Sequence, residues 1–319
     1  MNWKWSRKTM EFFRRLADIL RQKGAAVLAT VIESKGSTPR EIGAKMIVCA
    51  GGDIFGTIGG GAGEAKVIET AKIVLRNGEK QAIEIDLTTL QAEGICGGRM
   101  RVWLEKWQGA ESLRLVNQIL ANLENGQSAI LATPFNQQVS PYLLSENELP
   151  LKNAFVERVE PPPVLLIVGA GHVGIELANI AANIGFEIVV QDERPEWAKP
   201  ENYPNAKEIL NESVETAILR FANQPKLFIA LLTRGFDYDV QALTAILHLK
   251  KSCAYLGMIG SERRVREVFR EMEKRGFSKN ELNRIRAPIG LKIGALTPAE
   301  IAVSIAAELI SVRREMKNS

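Results

Sequence analysis

Five consecutive apolar residues, Val164 to Val168, run directly into Gly169-Ala170-Gly171-His172-Val173-Gly174. An unbroken apolar run of strand length predicts a strand buried on both faces. The glycine turn after it opens a helical pattern from His172 to about Ile184, and a second strand, Glu187 to Gln191, follows. Each glycine has a physical task there. Gly169 makes the tight turn, Gly171 lets a phosphate approach the backbone, and Gly174 lets the helix pack on the sheet. The helix start supplies unpaired N–H groups and partial positive charge for an anion. Asp192 stands 18 residues past Gly174. It is placed to accept from a ribose diol, while Arg194 is placed to meet a 2′-phosphate, so NAD and NADP both stay open. His172 reads as a helix-start residue beside the ligand. The competing reading is a domain of this type that has lost its ligand.

Strands and helices continue to alternate. Strands are predicted over Lys226 to Leu232 and Ser252 to Met258, with helices over 240–250 and Glu262 to Arg275. Ser278 with Glu281, and Thr297-Pro298 with Glu300, form two capping boxes. This alternation predicts a doubly wound, mainly parallel sheet. The first half reads as mixed α+β. A basic amphipathic helix covers 8–23 and strands cover Ala26 to Ile32 and Lys45 to Cys49. A helix over 63–75, strands at Ala82 to Asp86 and Met100 to Lys106, and a helix from Glu111 to Asn122 follow. Residues 136–163 read as irregular. They end in Pro161-Pro162-Pro163, which continues neither a helix nor a central strand. The expected organisation is a first domain over 1–150, a linker over 151–163, and a nucleotide-binding domain over 164–319.

Composition removes other classes. The 319 residues carry 41 basic and 37 acidic side chains, a net charge of +4, too weak to argue for nucleic acid. Three scattered cysteines (Cys49, Cys96, Cys253) and two histidines exclude a disulfide framework and a Cys/His zinc site, and fit a reducing cytoplasm. No run of about 18 apolar residues predicts a membrane span.

Three further constellations carry chemistry. Gly257-Met258-Ile259-Gly260-Ser261-Glu262-Arg263-Arg264 is a strand end, a glycine turn and a basic helix start, a second anion candidate beside the plain reading of a solvated helix face. Gly56 to Glu64 is glycine-rich and feeds a helix, either for close approach of a ligand or simply for a turn. Cys96-Gly97-Gly98-Arg99 sets a thiol beside flexible backbone and a cation, which can lower a thiol pKa. The alternative for Cys96 is an inert small hydrophobe.

Together these blocks resemble the xanthine dehydrogenase accessory protein family, XdhC/CoxI. The matching residues are Lys35-Gly36-Ser37-Thr38-Pro39-Arg40 with Gly43 and Lys45, the glycine run to Glu64, and Cys96-Gly97-Gly98. In the second half they are the 169–174 motif, Asp192-Glu193-Arg194-Pro195, residues 256–265 and the long block at 287–310. The resemblance implies an N-terminal XdhC/CoxI domain and a C-terminal Rossmann-like domain. It implies a maturation factor that protects molybdenum cofactor (molybdopterin), supports its sulfuration by a cysteine desulfurase and inserts it into an apo molybdenum hydroxylase. Expected cofactor-binding residues are Gly169, Gly171, His172, Gly174, Asp192, Arg194, Gly60, Gly61, Glu64, Arg40, Gly257, Gly260, Ser261 and Arg263. Cys96 is the expected chemical thiol, and Arg40, Lys45 or Arg99 would neutralise cofactor charge. The glycine turn, Cys96 and the fingerprint loop are expected to face one another. Ala62 stands where many members carry a second cysteine, and Phe236 and Tyr238 stand where others carry histidines. No bound metal is therefore expected. NAD(P) or another nucleotide is a further cofactor candidate, a homodimer is allowed, and neither nucleic acid nor membrane is an expected partner. The alternatives are an NAD(P)-dependent oxidoreductase of small molecules and a nucleotide-sensing regulator.

Overall fold

The computed structural model describes residues 7–87, 97–224, 226–249 and 253–316. The chain divides into two compact units, Met1–Pro162 and Pro163–Ser319.

The first unit begins with α1 (Arg7–Lys23), β1 (Ala25–Lys35), β2 (Lys45–Val48), β3 (Ile54–Gly56) and α2 (Gly61–Asn77). It continues through β4 (Gln81–Asp86), β5 (Arg99–Gln108), α3 (Gly109–Glu124), β6 (Ala129–Pro134), β7 (Tyr142–Leu144) and β8 (Ala154–Val159). An antiparallel sheet of order β3-β2-β1-β5-β4 is joined by a small sheet of order β7-β6-β8. Alternation along β1 sets the layers. Val27, Ala29 and Val31 pack against Val67, Ala71 and Val74 of α2. Ala26 and Leu28 share the other core with Phe13 and Leu16 of α1, Ile119 of α3, and Leu131 and Val159 of the small sheet.

The reading of 136–163 as irregular, and of 151–163 as a linker, is corrected by β7 and β8. β8 pairs along β6 from Ala129↔Val159 to Pro134↔Ala154. Its inward positions hide it, because one of them is Glu157. That carboxylate is buried and pairs with the buried Lys45 ammonium at 2.5 Å, which also donates to Thr30 Oγ1 at 3.3 Å. A charge at an inward position breaks the apolar alternation that marks a half-buried strand. Glu105 of β5 is buried as well. It accepts from Trp103 Nε1 at 3.1 Å and pairs with Lys80 at 3.4 Å. Burial pushes its pKa up, against the pull of Lys80.

The second unit runs β9 (Val164–Val168), α4 (His172–Asn183), β10 (Glu187–Gln191), β11 (Ala206–Leu210), α5 (Val214–Phe221) and β12 (Leu227–Leu231). α6 (Phe236–His248), β13 (Tyr255–Met258), α7 (Glu262–Lys274), α8 (Lys279–Leu282) and α9 (Pro298–Glu315) complete it. The sheet is parallel in order β11-β10-β9-β12-β13, with α5, α6 and α7 on one face and α4 and α9 on the other. Val164, Leu166 and Val168 serve the first core and Leu165 and Ile167 the second, as a doubly wound sheet requires. β11 and α5 are absent from the sequence reading. β11 is an edge strand whose one fully buried residue is Leu210, so no apolar run marks it. Both predicted capping boxes form, at Ser278/Glu281 and Thr297/Glu300. No helix among the described residues is long and apolar enough to cross a membrane.

Candidate functional site

In the first unit, three sequence blocks meet at one end of the large sheet. Arg99 is the register partner of both Lys35 and Asp86, so the ends of β1, β4 and β5 lie side by side. The loop after Lys35 packs on Gly97-Gly98. A Cβ on Gly98 would sit 2.5 Å from Ser37 O and 2.6 Å from Lys35 O, so only glycine fits there. A Cβ on Gly59 would sit 3.1 Å from Pro39 Cγ, which brings the glycine run against the same loop. Thr57 Oγ1 donates to Glu64 Oε2 at 2.6 Å and accepts from Gly59 N at 3.1 Å, fixing the entry to α2. Gly60 caps α2 without any side-chain hydrogen bond, and nothing lies within 4 Å of a Cβ on Gly60 or Gly61. The start of α2 therefore lacks a capping side chain and has free room beside Gly60 and Gly61, an arrangement suited to an anion. Arg40 donates from Nη1 to Pro39 O at 2.8 Å, while its Nε is buried with no partner. Arg99 pairs with Asp86 at 2.9 Å. Lys45 is not available to neutralise a ligand, because it is buried and paired with Glu157. Cys96 lies outside the described residues.

In the second unit, Gly169 and the first turn of α4 follow β9, which neighbours both β10 and β12. The crevice between β10 and β12 is where doubly wound sheets bind ligands. An open pocket occurs there, lined by Gly169, Asp192 and Arg194 on one side and Thr233, Arg234 and Tyr238 on the other. Gly169 has φ 107°, and a Cβ on it would sit 2.5 Å from Leu232 O, so its demand for glycine is structural. A Cβ on Gly171 meets nothing within 4 Å, which leaves its backbone open to a ligand. A Cβ on Gly174 would press on Gly169 O at 2.7 Å and on the Tyr203 hydroxyl at 3.1 Å. That hydroxyl is buried without a partner, and burial pushes its pKa well above the ordinary phenol range. His172 is exposed at the start of α4, edge-on to Trp197 at 5.5 Å. Asp192 is buried. Burial alone would raise its pKa, but the Arg194 guanidinium and the backbone N–H groups of Ala170 and Arg194 outweigh burial and hold it below the usual value.

The 257–264 block divides its tasks. Gly257 is inside β13, where a Cβ would overlap Ile289 and the Tyr255 hydroxyl at 2.5 Å, so it is a packing glycine. Ser261 caps α7 by accepting from Arg264 N, and Arg263 is exposed and paired with Glu267 at 3.0 Å. The nearest atoms to a Cβ on Gly260 belong to the Arg264 side chain, at 3.4 Å. Arg264 turns inward, donating from Nε to Asp239 at 2.6 Å and from Nη2 to Thr233 Oγ1 at 3.0 Å. Arg234 and Tyr238 are pocket-lining residues that sequence reasoning does not place in the site. Their signal is positional, since Arg234 and Tyr238 follow the strand beside β9 in a sheet whose order sequence alone does not fix.

The family description "XdhC Rossmann domain" matches residues 165–309, and "XdhC and CoxI family" matches residues 19–86. Together they cover about two thirds of the chain. The chain belongs to the XdhC and CoxI family. A Bacillus subtilis protein named as a probable xanthine dehydrogenase subunit is 27% identical over 96% of this chain and 98% of its own length. The molybdenum cofactor insertion chaperone PaoD of Escherichia coli K12 is 26% identical over 90% of this chain and 83% of its own. YqeB of the same organism is 29% identical over 95% of this chain, which spans only 46% of YqeB. A Bacillus halodurans crystal structure described as a xanthine dehydrogenase matches with TM-score 0.81 and 26% identity, over 99% of this chain and 96% of that one. The two family descriptions thus fall one in each unit of the chain.

Proposed function

We propose that this XdhC/CoxI chain is a maturation factor for molybdenum hydroxylases, holding molybdenum cofactor as cargo, supporting its sulfuration by a cysteine desulfurase and inserting it into the apo-enzyme. The observation that carries the reading is the convergence of the 35–40 loop, the glycine run and Gly97-Gly98 around the open start of α2. The cargo is an anionic, phosphate-bearing, sulfur-coordinated metal complex. Backbone N–H groups at Gly60 and Gly61 suit its phosphate, and Arg40, on the loop that packs against Gly59, supplies a positive charge. Cys96 is assigned the thiol role, as a soft ligand or as the acceptor of transferred sulfur. The names of the Bacillus subtilis relative and of PaoD support the client class and the cargo.

Full-length protein purified from cells that make the cofactor is expected to carry stoichiometric pterin, read by fluorescence after oxidative release. Gly60→Val adds bulk where the extended backbone (φ 163°) accepts any residue, so it should fold and lose pterin. Arg40→Ala should weaken retention, and Cys96→Ser should lower sulfuration. Pterin-free wild type, or full retention in both Gly60→Val and Arg40→Ala, overturns the site. The pocket in the second unit favours a second reading, a nucleotide site serving an NAD(P)-dependent oxidoreductase. Hydride turnover with a defined substrate and no bound pterin would establish it instead.

A further inference from the structure

The carboxylate that follows β10 has no acceptor left to offer. Oδ1 of Asp192 accepts from the Arg194 backbone N–H at 3.0 Å and from Arg194 Nε at 2.9 Å. Oδ2 accepts from the Ala170 N–H at 2.9 Å and from Arg194 Nη2 at 2.7 Å. An ionised carboxylate has about four lone-pair sites, and these four bonds fill them. In dinucleotide sites an acidic residue at this place accepts from the ribose diol, whereas an arginine nearby accommodates a 2′-phosphate. Here the acid staples the glycine loop to the end of β10. A diol would have to displace a two-pronged, charge-assisted guanidinium fork with neutral hydroxyls, an exchange that loses hydrogen-bond strength.

The pocket instead offers cations. Arg194 keeps Nη1 outside the fork, and its guanidinium lies 5.3 Å from the Trp197 ring centre. Across the crevice, Arg234 lies 4.5 Å from the Tyr238 ring centre, donates to the Tyr238 hydroxyl, and forms no ion pair among the described residues. Arg194 already neutralises Asp192, and the other acid of the lining, Glu193, is exposed. Guanidinium planes held on aromatic faces, with outward N–H groups, suit a phosphate.

We propose that this pocket selects a ribonucleotide that bears a phosphate on its ribose 2′ position over the same nucleotide with a free diol, with Arg194 and Arg234 holding that phosphate. The proposal rests on the reading of the pocket as a nucleotide site. Calorimetric titration of the full chain with adenosine 2′,5′-bisphosphate and with 5′-AMP isolates the 2′-phosphate, the single group by which the probes differ. The bisphosphate is expected to bind about tenfold tighter or better, with the steeper loss as salt is raised. Arg194→Ala removes a cation and frees Asp192, so the preference should reverse toward 5′-AMP. Arg234 is exposed, so Arg234→Ala keeps the test valid should Arg194→Ala misfold. It should shrink the ratio between the probes, not merely lower both affinities together. Equal binding of the two probes leaves a nucleotide site but overturns its selectivity. Binding of neither overturns both readings, and an unchanged ratio in Arg234→Ala removes Arg234 from the assignment.

Discussion

In the first unit Lys45, Glu105 and Glu157 are buried against the sheet face, partnered side chain to side chain. In the second, Asp192 is buried just after β10, Asp239 in the first turn of α6 and Glu308 within α9, and each accepts from a turn or from a residue beside one. Asp192 takes the Ala170 N–H, Asp239 takes Thr233 and Arg264, and Glu308 takes the Gly290 N–H and the Tyr255 hydroxyl. The first arrangement joins layers, because Lys45 on β2 meets Glu157 on the small sheet. In the second, Asp192 and Asp239 hold pocket-lining residues at the ends of the parallel strands, where ligands bind, while Glu308 ties the Gly290 turn to β13. Buried charge thus serves assembly of the core in one unit and the form of a pocket in the other.

The sharpest way to break this contrast is to unpair the first set. Lys45→Met leaves Glu157 buried and alone, and should cost about 3–5 kcal/mol by chemical denaturation. Lys45→Met with Glu157→Leu should recover most of that loss, because burying the pair already costs much of what its attraction supplies. A double variant no better than the single would mean that the pair does more than hold two layers together. Next in size is Gly169→Ala, where the new Cβ meets Leu232 O at 2.5 Å in a left-handed backbone. A loss of about 1–3 kcal/mol is expected. Gly171→Val, facing open space, should instead keep its melting temperature and lose nucleotide binding. Similar melting losses in both would erase the distinction between a structural and a ligand-facing glycine.

Asp192→Asn tests the rim staple, and should destabilise the second unit by about 1.5–3 kcal/mol through lost charge-assisted bonds. The sign of its pH dependence follows from the folded-state pKa, which is lowered. The stabilisation is fully present above the unfolded aspartate pKa of about 3.9 and is lost as pH falls through the lower folded value. Acid titration of wild type and Asp192→Asn should therefore converge only in strong acid. Convergence near neutral pH would mean that the carboxylate is not held by Arg194.

The two units also differ in how far their sequence can be read. Buried parallel strands announce themselves as apolar runs, so Val164 to Val168, the fingerprint turn and the helices around them fall where expected. β8 is unreadable because Glu157 owes its burial to Lys45, a partner 112 positions away that no local window contains. At the pocket, Asp192 and Arg194 are legible as rivals for a ribose, one for a diol and the other for a phosphate. That they bond to each other follows from side-chain geometry, and spacing alone does not encode it. Arg234 reaches the site only through the order of the strands.

The smallest expected effect separates a cap from a ligand. Ser261 reads in the sequence as part of a second anion site, and its hydroxyl accepts from Arg264 N at 3.2 Å as the cap of α7. A capping serine replaced by alanine loses about 1 kcal/mol, while glycine at the same place loses only a few tenths. Ser261→Ala and Ser261→Gly should therefore split in thermal stability, with glycine close to wild type. A hydroxyl that binds phosphate gives a different pattern, because both variants lack it and both would lose affinity for inorganic phosphate equally. Melting curves that split, with phosphate affinity unmoved in either variant, make Ser261 a structural residue. That outcome would concentrate the anion chemistry of the second unit on the pocket between β10 and β12.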